Sequence, residues 1–162
     1  EFKWVEYVPP PTHSLLNKKS LFKVIVNEAS FLKDSDFMGK QDPFIRFIYD
    51  GKTMETDVKD NAGKSAKWDE TFQFPNVLQR LKGQDSLVFQ AYDKDLTSSD
   101  LLCKTEPIDY VDLLGTTDAV KMNLDMFDEK GVKCGKVVVT TQLIVIEKDP
   151  ESYIQMNGNC CL

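Results

Sequence analysis

The stretch DSDFMGKQDPFIRFIYD, residues 34 to 50, carries two readings at once. Its second half alternates strictly. Phe44, Arg46 and Ile48 fall on one face, and Ile45, Phe47 and Tyr49 fall on the other. That period of two belongs to a β-strand. Its first half sets three aspartates, Asp34, Asp36 and Asp42, within nine positions and places the apolar pair Phe37-Met38 among them. Carboxylates so close repel each other unless a cation compensates.

The same period extends outward. Phe22, Val24 and Val26 alternate with Lys23, Ile25 and Asn27, and SLVFQAYD (86–93) and the β-branched run KVVVTTQLIVI (136–146) continue the theme. Weaker strands are expected near 53–59, 67–74, 105–110 and 119–125. Turn signals separate them: YDGK (49–52), DNAGK (60–64), LKGQD (81–85) and DEKG (128–131). Short strands with frequent turns predict an all-β, eight-stranded antiparallel β-sandwich. Helix is expected at most as single turns at 77–82 and 110–114. Residues 1–20, with Pro9-Pro10-Pro11, read as an N-terminal extension, 21–147 as the folded domain and 148–162 as a polar tail.

Bulk properties narrow the partners. The 162 residues suit one domain. A net charge of −6 opposes direct binding to nucleic acid or to an anionic membrane, so a partner of that kind needs an intervening cation. No apolar run is long enough to span a bilayer. The opening EFKWVEYVPPP has no signal-peptide block, and without an initiator Met residue 1 is expected to be a processed or trimmed end. The four cysteines, Cys103, Cys134, Cys160 and Cys161, show neither zinc-type spacing nor a secreted disulfide framework, and no Asn-x-Ser/Thr sequon occurs. An intracellular, reducing compartment is expected.

A second acidic loop, YDKDLTSSD (92–100), also follows a strand directly. Two acidic loops at strand ends point to one shared rim and one shared ligand. Hard oxygen donors without Cys or His favour calcium or magnesium over zinc, and an irregular side-chain cage suits calcium. An EF-hand does not fit. Read from Asp93, its sixth position is Ser98 and its twelfth is Lys104; read from Asp34, Ile45 takes the twelfth. A phosphate loop at AGKS (62–65) lacks the earlier glycine, since Val58 stands there. The single His13 lies in the proline-rich arm, a poor place for a general base, and no nucleophile elbow or metal-binding His pair is present. No enzymatic activity is expected.

With those residues in view, the span from about Leu21 to Ile146 resembles a C2 domain, a Greek-key sandwich that binds calcium and phospholipid. DFMGKQDPFIRF resembles the first calcium loop, KWDETFQF (67–74) the tryptophan-containing strand, and LVFQAYDKD the strand entering the third loop. The strand order resembles the circularly permuted variant called type II. The resemblance implies calcium ligands at Asp36, Asp42, Asp93, Asp95 and Asp100. It implies two or three Ca2+ ions if Asp100 takes part. The Asp95–Asp100 loop is one residue shorter than the usual pattern, and Cys103 stands where glycine is usual. It also implies a loop tip facing an anionic phospholipid membrane, with Phe37, Met38 and Leu96 entering the bilayer, each worth about 1.5–3 kcal/mol when fully buried. Removing the five site aspartates takes the net charge from −6 to −1, so the excess charge sits at that tip. Localisation is then cytoplasmic and peripheral to membranes on calcium binding.

Lys40, Lys52 and Lys94 are candidate headgroup contacts. A wider basic set, Lys52, Lys59, Lys64 and Lys67, is interleaved with Glu55, Asp57, Asp60 and Asp69 and reads as a solvated face. Phe2, Trp4 and Tyr7 make residues 1–11 a candidate protein-contact arm. The ending NCCL lacks a prenylation box, which leaves Cys160 and Cys161 as palmitoylation candidates beside the plainer reading of tail thiols. The alternative function is a calcium-independent interaction or scaffold domain of a larger assembly.

Overall fold

The structure is a computed structural model that describes residues 19–31, 40–49, 51–75, 86–109 and 117–146. The strands are β1 (Lys19–Phe31), β2 (Pro43–Tyr49), β3 (Lys52–Glu55), β4 (Ser65–Pro75), β5 (Ser86–Leu87), β6 (Phe89–Lys94), β7 (Ser99–Thr105), β8 (Ile108–Asp109), β9 (Val120–Phe127) and β10 (Lys133–Ile146). Eight of them form one antiparallel sheet in the order β3-β2-β6-β7-β9-β10-β1-β4, and β5 pairs with β8. The sheet folds over on itself. The seam is β7–β9, which pair only at Lys104↔Phe127 and Thr105↔Met126. Two four-stranded leaves result, β4-β1-β10-β9 and β3-β2-β6-β7, and they enclose one core.

The alternation read from sequence sets which side chains fill that core. Phe22, Val24 and Val26 of β1, Ile45, Phe47 and Tyr49 of β2, and Phe89 and Ala91 of β6 are all buried. Phe47 meets Phe72, Phe74 and Phe89 with ring centroids 5.1, 6.2 and 5.3 Å away. Tyr49 stacks on Phe74 at 3.9 Å, which joins β2 to β4 across the sandwich. On the outer face of β2, Phe44 is also buried, because it stacks on Tyr92 at 5.6 Å. The Arg46 guanidinium lies 4.3 Å from the Tyr92 ring centroid and pairs with Glu55.

Trp68 closes the open side next to β4. Its Nε1–H donates to the Asp57 carbonyl at 2.7 Å, and the Asp57 N–H donates to Glu70 Oε1 at 2.9 Å. Two side chains of one strand thus grip a single residue beyond it, where no backbone ladder forms.

Several strand ends differ from the sequence expectation. The first strand begins at Lys19, because Lys19 to Ile25 pair in unbroken register with Ile146 to Thr140. The strand expected over 53–59 stops at Glu55: Thr56 Oγ1 accepts the Ile45 N–H, and Lys59 N–H reaches the Pro43 carbonyl, so the segment follows β2 without a regular ladder. The strand expected near 105–110 is reduced to β8 at Ile108–Asp109, just after Pro107, which has no N–H to donate, and β7 at Ser99–Thr105 is a strand where the sequence reading placed the acidic loop and its exit. The single turns expected at 77–82 and 110–114 lie outside the described residues.

The strand directions fix where the loops emerge. β1 finishes at Phe31 and β2 starts at Pro43, β6 ends and β7 begins at the 95–98 turn, and the 56–64 segment returns along β2 to the same level. These strand ends lie together at one pole. The start of β1 and the finish of β10 pair at the other.

Candidate functional site

Three segments are stitched together at that rim by hydrogen bonds. Asp42 precedes Pro43, and a residue before proline is held extended, which leads the chain directly into β2. Pro43 faces Asp93 in the β2–β6 register. That juxtaposition lets the Asp42 N–H donate to Asp93 Oδ1 at 2.7 Å, while the Lys94 N–H donates to the Asp42 carbonyl at 3.1 Å. The first and third acidic segments therefore meet, as their placement at strand ends predicts. Asp93 is only 4% exposed, so its carboxylate lies beneath the rim rather than on it.

The third partner is the 59–64 segment, read from sequence only as a turn. Its Asn61 N–H donates to Asp42 Oδ1 at 2.5 Å. Asn61 and Gly63 take left-handed backbone angles, φ 53° and 68°, which Asn and Gly tolerate best. Gln41 holds this segment to the first. It is fully buried, its Nε2 donates to the Gly63 carbonyl at 2.8 Å, and its own carbonyl accepts the Gly63 N–H at 3.0 Å. The Phe31 N–H reaches the Lys64 carbonyl at 2.8 Å at the other side of the segment. Sequence reasoning missed Gln41 and Asn61. The available signal was the pairing of Gln41 with Asp42, a polar couple immediately ahead of a buried proline.

Across the rim, Asp95 and Ser98 close a tight turn, with Asp95 N–H to the Ser98 carbonyl at 3.1 Å and Ser98 Oγ to Asp95 Oδ2 at 3.5 Å. Leu96 stands at its tip, completely exposed at 105%. Asp100 lies in β7 rather than in the loop, directly opposite Asp93 in the β6–β7 register, and is exposed. Lys40 and Lys94 are exposed beside the rim. Lys52 sits at the far end of β2, opposite Tyr49, roughly 20 Å away at the usual strand rise. Asp36, Phe37, Met38, Cys160, Cys161 and residues 1–11 lie outside the described residues.

The donors gathered here fit a hard cation. Asp42, Asp93 and Asp95 offer oxygen only, and an ionised carboxylate has about four acceptor sites, so it can accept hydrogen bonds such as those from the Asn61 N–H, the Asp42 N–H and the Ser98 hydroxyl and still coordinate an ion. Among the described residues, no group of three His, Cys, Asp or Glu side chains is close enough to cage an ion unaided. The resemblance to a first calcium loop would add Asp36 to the set.

Known proteins share this fold. A C2 domain of plant extended synaptotagmin 1 superposes with a TM-score of 0.67 at 20% identity, covering 80% of this chain and 97% of that one. A C2 domain-containing protein from a putative elicitor-responsive gene gives 0.64 at 19% identity, over 82% and 94%. In sequence, the 16 kDa phloem protein 1 of Arabidopsis thaliana is 31% identical over 102 residues, 62% of this chain and 58% of its own length. The Ras GTPase-activating protein 4 of Mus musculus is 39% identical over 82 residues, 49% of this chain and 9% of its own. The chain thus spans little more than half of the first relative and a small part of the second. A family model described as C2 domain matches residues 20–117. C2 domains are binding modules, commonly for lipid or membrane, and not catalytic folds. On the match over residues 20–117 and the shared sandwich, the chain belongs to the C2 domain family.

Proposed function

We propose that this chain is a calcium-dependent phospholipid-binding module whose working surface is the rim formed by residues 40–42, 56–64 and 95–98. The observation that carries the reading is the 2.7 Å bond from the Asp42 N–H to Asp93 Oδ1, which brings the two acidic segments to one place. Asp36, Asp42, Asp93 and Asp95 would hold the ion, with Asp100 alongside on β7. Bound calcium supplies positive charge and coordination sites for lipid phosphate oxygens.

The rest is the work of the chain. Carboxylates concentrated at the rim repel an anionic headgroup layer until they are neutralised. Leu96, fully exposed at the tip of its turn, is an apolar side chain with nothing to cover it in water. Together with Phe37 and Met38 it supplies the bilayer-entering contact, and exposed Lys40 and Lys94 stand close enough to meet phosphate groups. The protein is then peripheral to a membrane when calcium is present.

Sedimentation with vesicles containing phosphatidylserine tests this. The protein is expected to pellet with calcium and to stay in solution with a chelator; equal pelleting in both conditions refutes the proposal.

A second reading is favoured by one observation. The carboxylates of Asp42 and Asp93 already accept the N–H groups of Asn61 and Asp42, so the rim is held without an ion. On that reading the domain is a calcium-independent interaction module, with residues 1–11 as a contact. Deleting residues 1–11 would then abolish partner binding, while an Asp42→Asn, Asp93→Asn variant would leave it intact.

A further inference from the structure

The seam between the two leaves is short, and two cysteines converge on it from either side. Cys103 in β7 is buried and Cys134 in β10 is half-buried, and neither is in a disulfide. The Cys134 Sγ lies 3.7 Å from the carbonyl oxygens of both Leu102 and Met126. The Cys103 Sγ lies 4.0 Å from Met126 Sδ and 3.4 Å from the point where a Cβ on Gly135 would stand. Each sulfur thus reaches the chain neighbour of the other: Cys134 meets Leu102, and Cys103 meets Gly135. Cys134 falls within a register shift of β10 between Lys133 and Gly135, which frees it from the regular in-and-out alternation. The two thiols interact with each other, and the contacts of Cys134 to the two carbonyls are long, at 3.7 Å.

We propose that Cys103 and Cys134 are an oxidisable dithiol that closes to an intramolecular disulfide under hydrogen peroxide, fastening β7 to β10 across the seam. The accessible member reacts first. The Cys134 thiolate attacks one peroxide oxygen, the O–O bond breaks, and a sulfenic acid forms as hydroxide leaves and takes up the thiol proton as water. The Cys103 sulfur then attacks the sulfenic sulfur, the S–O bond breaks, and the Cys103 proton leaves with the hydroxyl as a second water. Two thiols lose two electrons and one peroxide gains them. Burial raises the pKa of both thiols, Cys103 more strongly, so closure is slow at neutral pH and quickens as pH rises. Because β7 begins at Ser99, directly behind the Asp95–Ser98 turn, the link ties the strand that carries Asp100 to the opposite leaf.

The test uses the full chain with Cys160→Ser and Cys161→Ser, so that tail thiols do not compete. The protein is incubated with and without hydrogen peroxide at pH 7 and pH 8.5, free thiols are alkylated, and peptides are mapped by mass. A peptide linking Cys103 to Cys134 is expected, two hydrogens lighter, forming faster at pH 8.5. It should be accompanied by a rise of several degrees in unfolding midpoint that dithiothreitol reverses, and both changes should vanish in Cys134→Ser. Recovery of both cysteines alkylated after peroxide overturns the proposal, as does a link found only between molecules. The dithiothreitol reversal on the parent chain decides the matter even where Cys134→Ser folds poorly.

Discussion

Gly135 faces the carbonyl of Ser30 so closely that a Cβ at that position would stand 2.6 Å from the oxygen. The contact is with backbone on β1, a strand that cannot move without breaking the β1–β10 register, and Phe31 and Cys103 crowd the same point at 3.3 and 3.4 Å. Gly135→Ala should therefore destabilise the fold by about 1–3 kcal/mol, the usual cost of forcing extra volume into a packed site. A lower urea midpoint with an unchanged slope would report it.

Asp93 does structural work as well as offering a carboxylate. In Asp93→Ala the Asp42 N–H loses its acceptor in a partly buried place, which costs about 1–3 kcal/mol. Asp93→Asn keeps an oxygen for that bond but removes the charge. It should fold nearly as well as the parent and bind calcium at least about tenfold more weakly, a loss of about 1.4 kcal/mol or more. Calorimetric titration of the two variants beside the parent separates support of the rim from coordination.

Leu96 has no folded-state contact to lose, since it is completely exposed. Leu96→Ala should leave the unfolding midpoint within about 0.5 kcal/mol of the parent. Its effect should appear on vesicles with calcium, where removing much of a side chain worth about 1.5–3 kcal/mol weakens partitioning by about tenfold. A partition coefficient identical to the parent's would remove Leu96 from the contact surface.

Trp68→Phe keeps an aromatic ring beneath β4 and removes the donor to the Asp57 carbonyl. A loss of about 1–3 kcal/mol is expected. Hydrogen exchange of the Asp57 amide should rise with it, because the Glu70 carboxylate that accepts that amide grips the same residue.

Acid should weaken the outer face of the first leaf. The Asp69 carboxyl is held below its ordinary value of 3.8, chiefly by the Asn27 amide and then by Lys67; Asp125 is held low by Lys133. As pH falls the unfolded chain takes up protons first, so this stabilisation is full above about pH 5 and is lost as pH drops through the lowered values. Both groups are exposed, so salt reduces the effect. An Asp69→Asn, Asp125→Asn variant should show a flatter stability profile than the parent between about pH 5 and 2.

Much of the architecture is legible as alternation. FIRFIY divides its side chains between two faces as the period of two predicts, with Ile45, Phe47 and Tyr49 meeting the opposite leaf and Phe44 buried on the outer face against Tyr92. The shared rim is legible too, since antiparallel strands that end and begin with acidic segments must place those segments together. Less visible was the start of β7. TSSDLLCK has no alternation to mark a strand, because its pairing with β6 contains a register shift between Ala91 and Tyr92. The 59–64 segment was equally hidden. Its attachment runs through scattered bonds to Phe31, Gln41, Asp42 and Pro43, 16 to 33 positions away, and local pattern does not encode such bonds.

The pairing of Lys19 with Ile146 has a consequence for reach. Whatever flanks the domain leaves it from the pole opposite the rim. β10 alone is 14 residues, about 45 Å of body at the usual rise. From Ile146 to Cys160 there are 14 residue steps, a leash of at most about 50 Å when fully drawn out. A fatty acyl group on Cys160 could enter the bilayer that the rim touches head-on only with that leash almost taut. A lipidated tail and an upright docking pose would therefore pull against each other.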